Sequence, residues 1–175
     1  NEARMRALIP AWVAGVLTPM DKIAVHRQGL RHPAVSVFVL RRGEILLQRR
    51  ASGKYHTPGL WANTCCTHPH WGEGDLTCAL RRLDEELGIT GLTLTPVRQI
   101  EYRAEVGNGM TEHEVVQLFL AEAPDDLTLH PNPDEVRDTA WVSPAALHQA
   151  LAERPQDFTP WLRIYMRDHA DALNR

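Results

Sequence analysis

The stretch from Trp61 to His70 reads Trp-Ala-Asn-Thr-Cys-Cys-Thr-His-Pro-His, and an acidic helical segment ending in Glu85-Glu86-Leu87-Gly88 follows it. A thiol (Cys66), an imidazole (His68) and clustered carboxylates thus share one short stretch. Farther on, Glu112 and Glu114 alternate onto one face of an apolar strand that continues through Val116, Leu118 and Leu120. Two carboxylates side by side at an apolar interior do not both stay ionised unless a cation compensates them. His26, His32 and His68 are candidate imidazole ligands, and with Glu112 and Glu114 they would suit zinc, manganese or a similar divalent ion. One histidine is more often a surface or core residue, so the set counts only together with the acidic pair. No Cys-x-x-Cys or His-Glu-x-x-His spacing fixes it.

A lone thiol is more often a small hydrophobe. Pro58, Gly59, Thr64, Thr67 and Pro69 give Cys66 a loop-like setting that argues for chemistry, whereas Cys78 reads as helix packing. Glu85 and Glu86 stand where the helix macrodipole disfavours negative charge. Pairing with Arg81 and Arg82 at i,i+4 is one account; a bound magnesium explains the carboxylates better. Arg49, Arg50 and Lys54 can supply a local positive field for a phosphate. The whole describes an acid–base site with metals, and so an enzyme.

The elements that must position these groups are mixed in order. Ala34–Leu40 and Ile45–Gln48 read as strands joined by a tight polar turn over 41–44. Residues 51–74 read as a long functional loop. Asp75 is the expected N-cap of a helix carrying Leu76, Ala79, Leu80, Leu83 and Leu87 before Gly88 stops it. Strands are expected over Leu92–Val97, Ile100–Ala104, Glu114–Ala121 and Thr139–Val142, and helices open at Ser143-Pro144 and Thr159-Pro160. This order predicts an α+β fold, a mixed sheet layered with helices, in a single domain over 1–175. An edge strand is expected within 1–20, and a C-terminal helix within 158–175.

A chain of 175 residues, 43% hydrophobic and 23% charged, suffices for one well-cored domain. The net charge of −3 argues against a nucleic-acid surface, so an anionic substrate needs a local basic pocket. Three cysteines, two adjacent, make no disulfide framework; reduced thiols in the cytoplasm are the simpler reading. Leu8–Met20, preceded by Arg4 and Arg6, imitates a signal peptide. It lacks a small-residue cleavage pattern, is interrupted by Pro10 and is too short to span a bilayer. No membrane partner is expected, and the chain is expected to be a monomer or weak dimer.

Thr67 to Ile89 resembles the Nudix box, with Glu73, Arg81, Leu83, Glu85, Glu86, Gly88 and Ile89 in register. Thr67 replaces the opening Gly, and Arg82 replaces the Glu that usually follows the first Arg. In Nudix hydrolases that carboxylate helps hold metal for attack on a diphosphate. The same departures resemble the type I isopentenyl-diphosphate isomerases. Asn63 to Pro69 is similar to that family's active-site cysteine segment, Tyr102 with Glu112-His113-Glu114 to its Tyr and Glu-x-Glu elements, and Phe158 to Trp161 to its C-terminal Trp motif. The likeness runs from about Lys22 to Trp161.

The resemblance implies a Nudix-like fold and isomerisation of isopentenyl diphosphate to dimethylallyl diphosphate. It implies Cys66 and Glu114 as the proton-exchanging pair, Tyr102 positioning Glu114, and Trp161 facing a carbocation. It implies Mn2+ or Zn2+ at His26, His32, His68, Glu112 and Glu114. It also implies Mg2+ held by Glu86 and the Cys66 carbonyl, bridging to a diphosphate clamped by Lys22, Arg50, Lys54 and Arg82. Two other readings are a Nudix hydrolase of a nucleoside diphosphate-type substrate and a non-catalytic, metal-stabilised protein.

Overall fold

The computed structural model describes residues 8–174; Arg4, Arg6 and the outermost ends of the expected domain lie outside them. Strands β3 (Arg31–Arg41) and β8 (Met110–Glu122) form the middle of a seven-stranded sheet. They pair in parallel, with His32 beside Glu114 and Ala34 beside Val116. Around them run β4 (Glu44–Arg50), β5 (Trp61–Ala62), β6 (Cys65–Thr67), β7 (Thr95–Gly107) and β9 (Val136–Val142), all antiparallel to their neighbours. The mixed sheet layered with helices is thus as expected.

Each central strand serves two cores because its side chains alternate. Ala34, Phe38 and Leu40 of β3 face one core, built with Leu118 and Leu120 of β8 and Trp161, Leu162 and Tyr165 of helix α4 (Pro160–Asp168). Val35, Val37 and Val39 face the other, filled by Cys78, Ala79, Leu83 and Leu87 of helix α2 (Asp75–Leu87). Helix α3 (Pro144–Glu153) joins the first core through Leu147. Ser143 and Thr159 cap α3 and α4, each followed by Pro, as the sequence predicts.

Several expectations need correction. The segment expected as an edge strand is a separate hairpin of β1 (Leu8–Val13) and β2 (Val16–Asp21), packed on helix α1 (Lys22–Gln28). Pro10 faces Pro19 across it, so two ladder donors are missing. Ala14 and Gly15, at φ 50° and 79°, fold the chain straight back. The 51–74 loop contains β5 and β6, because sheet edges recruit extended residues that carry no periodicity of their own. The two strands expected over 92–104 are one, β7, with a bulge between Pro96 and Arg98, and it begins only at Thr95. Gly74, not Asp75, is the N-cap of α2. Helix α4 stops at Asp168, and 170–173 form a 3-10 turn. No helix among the described residues is long and apolar enough to cross a membrane.

Gly88 closes α2 in the left-handed region, φ 65°, its N–H bonded to the Asp84 carbonyl at 2.8 Å. The connection between β8 and β9 crosses directly over this end, and a Cβ on Gly88 would lie 2.6 Å from His130 Cβ. Gly88→Ala should destabilise the fold by about 1–2 kcal/mol from the backbone conformation alone, and by more because of the overlap. Chemical denaturation of the purified variant measures it; unchanged stability would refute this reading of the cap.

Candidate active site

Glu112 and Glu114 project from β8 toward the α4 side of the sheet, 3% and 5% exposed. Four imidazoles converge on them. His32 Nε2 stands 3.1 Å and His68 Nε2 2.6 Å from Glu114 Oε2. His26 Nε2 and His56 Nε2 lie 3.4 and 3.0 Å from Glu112 Oε1, and His68 Nε2 is 3.9 Å from the same oxygen. The parallel pairing of β3 with β8 supplies His32, α1 supplies His26, and the end of β6 leads to His68.

The outward ring nitrogens are tied down. His26 Nδ1 is 2.7 Å from the Lys22 carbonyl, His32 Nδ1 2.8 Å from the Leu30 carbonyl, and His56 Nδ1 2.8 Å from Thr57 Oγ1. A carbonyl oxygen can only accept, so Nδ1 of His26 and of His32 carries hydrogen and the Nε2 lone pair is directed inward. This is how outer partners orient metal-binding histidines. On the far side of the carboxylates Tyr102 Oη lies 2.8 Å from Glu112 Oε2 and 2.5 Å from Glu114 Oε1. One phenolic hydrogen serves one acceptor at a time, so the other oxygen needs compensating charge or a proton.

The protonation states point the same way. Burial pushes Glu112 up, but the imidazoles of His26 and His56 beside it prevail and hold it well below the usual range. Burial and the Glu112 charge push Glu114 up, and the contacts with His32 and His68 outweigh them, bringing it to about 2. Burial drives His68 down to about 3 and lowers His56, whereas at His32 burial is outweighed by the Glu114 carboxylate, which raises it. Ionised carboxylates with neutral His56 and His68 are ligand forms of a cation site, and His32 would give up its Nε2 proton to an ion. Donors about 2.1 Å from one six-coordinate ion stand about 3 Å from their cis neighbours. The contacts of 2.6 to 3.9 Å match that spacing. The donor set therefore fits a divalent metal.

Cys66 lies on β6, opposite Ser36 of β3. Its thiol donates to Asn63 Oδ1 at 2.8 Å and lies 3.3 Å from Ser36 Oγ. Asn63 Nδ2 in turn donates to Ser36 Oγ and the Val37 carbonyl at 2.8 and 2.9 Å. Burial pushes the Cys66 thiol well above its usual value, so it rests protonated.

A narrow cleft joins Cys66, Glu114 and Trp161 to the cations Lys22, Arg50, Lys54 and Arg82. Arg50 sits over the Trp161 ring, 5.3 Å from its centre. Lys54 and Arg82 are paired with Glu135, at 2.5 and 3.3 Å. Burial, with Lys54 and Arg82 nearby, lowers Lys22 to about 8.

The residues that the family resemblance assigns to the site, Glu86 excepted, thus line this cleft or the His/Glu centre beside it, whereas Arg49 turns away and donates to the Gly59 carbonyl at 2.8 Å. Glu86 is directed at Gln48 Nε2 (3.0 Å) and Arg82 (3.2 Å) and belongs to neither potential metal-ligand group. Arg81 lies 3.1 Å and Arg82 2.8 Å from Glu85, so arginines accompany the carboxylates at the helix end. His56 and Glu135 escaped the sequence reading, and Asn63 was read only as part of the Cys66 segment, without a role of its own. Only the histidine content of the 51–74 segment signalled the first, and nothing local signalled Glu135, which arrives from a distant loop.

The chain belongs to the Nudix family: the NUDIX domain model matches residues 30–162. The fold is likewise that of DR0079 from Deinococcus radiodurans, with a TM-score of 0.73 at 16% identity, covering 91% of this chain and 96% of that one. It also resembles a MutT protein from Methanosarcina mazei Go1, TM-score 0.65 at 17% identity, covering 83% and 96%. Within the family the sequence relatives are more specific. A Cereibacter sphaeroides protein named isopentenyl-diphosphate Delta-isomerase is 57% identical over 169 residues, 97% of this chain and 96% of the relative. A Rhodobacter capsulatus protein of the same name is 59% identical over 166 residues, 95% and 94%. Nudix enzymes use divalent metals, in keeping with the His/Glu groups here.

A raised thiol pKa has a direct consequence, because only the thiolate is alkylated. Iodoacetamide should modify Cys66 slowly at pH 8 and faster as pH rises beyond 9. Peptide mass mapping checks this; rapid modification at neutral pH would contradict a protonated resting thiol.

Proposed function

We propose that this protein is an isomerase that interconverts isopentenyl diphosphate and dimethylallyl diphosphate. The observation that carries the reading is the cleft itself, where a protonated thiol and a buried carboxylate share one space with an indole and four cations. The names of its relatives support the same activity.

The substrate's diphosphate would lie against Lys22, Arg50, Lys54 and Arg82, displacing Glu135 as the partner of Lys54 and Arg82. Its isoprenoid end would reach between Cys66 and Glu114. One of that pair adds a proton to the terminal carbon of the double bond, and the resulting positive charge is tertiary. The other removes a proton from the neighbouring carbon, and the electrons of that C–H bond form the new double bond. The two groups thus exchange protonation states in each turnover, and Tyr102 keeps Glu114 oriented throughout. Trp161 can offer a π face to the cation, an interaction worth ~2 kcal/mol or more when desolvated. Asn63 and Ser36 hold the Cys66 sulfur in place.

His26, His32, His68, Glu112 and Glu114 would hold Mn2+ or Zn2+, whose charge makes Glu114 a better proton donor. Glu86, with the Cys66 carbonyl, would hold Mg2+ that neutralises the diphosphate. A hydrolase reading has less support. Glu73 is clasped by Arg81 at 2.7 and 2.8 Å, and Arg82 occupies a Nudix-box carboxylate position.

Proton NMR of isopentenyl diphosphate with the protein, Mg2+ and Mn2+ in deuterated water, beside a phosphate-release assay, tests the proposal. Deuterated dimethylallyl diphosphate without phosphate release is expected, and Cys66→Ala should lower kcat by roughly 10²–10⁴-fold. Phosphate release with an unaltered carbon skeleton would overturn it. Because Lys22 titrates near 8, raising pH through that value removes a positive charge from the free cleft. KM should therefore rise above about pH 8, and Lys22→Arg should flatten that alkaline limb; an unchanged limb would exclude Lys22 as its source.

A further inference from the structure

His56 stands outside the set that the family resemblance implies, yet its position is built. The side chain is 2% exposed. Arg50 donates to the His56 carbonyl at 3.2 Å. The next residue, Thr57, is β-branched and held at φ 44°, a conformation such residues rarely adopt. Its hydroxyl is the partner of His56 Nδ1. His56 Nε2 points into the centre, 3.0 Å from Glu112 Oε1, yet without the alignment of a hydrogen bond. A buried, oriented and unpartnered ring nitrogen is therefore aimed at the carboxylates.

The potential ligands fall into two groups, His26 with His32, His68 and Glu114, and His26 with His56 and Glu112. They cannot serve two ions. His26 Nδ1 is committed to the Lys22 carbonyl, so His26 has one lone pair to offer, and it belongs to both groups. An ion shared through His26 would draw both groups into one shell, of four imidazole nitrogens and one oxygen from each glutamate. Six donors complete an octahedron.

Resting on the metal reading of this centre, we propose that His56 is the sixth ligand, closing the shell so that neither water nor substrate can reach the ion. The ion then acts on the reaction only through the charge it places beside Glu114. The bland alternative is that His56 merely supports Glu112 from outside the shell.

Mn2+ alone distinguishes the two. One equivalent is added to the dialysed full-length protein without substrate. Free Mn2+ is followed by electron paramagnetic resonance, and the solvent-water proton relaxation per bound ion is measured. A closed shell should relax water weakly in the unmodified protein. His56→Ala and His56→Gln should each weaken binding by at least the roughly 10–100-fold that loss of an outer partner costs. Both should also raise the relaxation per bound ion as water enters the vacated position. Strong relaxation in the unmodified protein would overturn the proposal, and this arm stands even if the variants fail to fold. Variants with weaker binding but unchanged relaxation would also overturn it, leaving His56 outside the shell. Failure of the unmodified protein to bind Mn2+, Zn2+ or Co2+ would instead sink the metal reading beneath it.

Discussion

Two carboxylates buried on one face of one strand impose the constraint that the rest of the site answers. Left alone, Glu112 and Glu114 would repel each other and lose the solvation of water. Four imidazoles and one phenol surround them instead, each from a different part of the chain. The arrangement exists because β3 and β8 run parallel in a register that sets His32 beside Glu114. A one-residue slip would rotate the acidic pair into the core shared with α2 and break both apolar faces together. Core packing and site geometry therefore rest on the same register.

The sheet also separates structural work from chemistry. Helix α2 covers one face with Ala79, Leu83 and Leu87, and its polar side brings Arg82 to the cleft. Helix α4 covers the other, and its first turn delivers Trp161 beside Arg50. The cleft lies where the β4–β5 connection, the start of α1 and the end of β6 approach one another. Two of the cations there, Lys54 and Arg82, are stored against Glu135, which tempers the positive charge of the cleft. Cys66 is handled in the opposite way. Burial keeps it neutral, and the hydrogen bonds with Asn63 and Ser36 fix its direction.

Much of this was legible in the sequence because its signals are local. The period-2 pattern from Glu112 to Leu120 gave both the strand and the common face of the acidic pair. The 3.6-residue pattern before Gly88 gave α2, and the Ser143-Pro144 and Thr159-Pro160 caps gave the last helices. Where pairing depends on a distant partner the reading failed. β1 and β2 closed on each other rather than joining the sheet, and β5 and β6 emerged from a segment without periodicity. The roles of His56 and Glu135 were missed for the same reason.

The sequence by itself determined which residue types were available and which of them share a strand or helix face, because backbone geometry fixes those periodicities. It also carried the likeness of the Cys66 segment and the Glu112/Glu114 element to one family. Only the tertiary structure decided that Lys22, Arg50, Lys54 and Arg82 face one cleft, that Glu86 turns to Gln48 and Arg82, and that four histidines rather than three meet at the carboxylates. Those decisions belong to the parallel register and to loop conformations such as that of Thr57. Both are set by contacts between residues far apart in the chain, which no local pattern encodes.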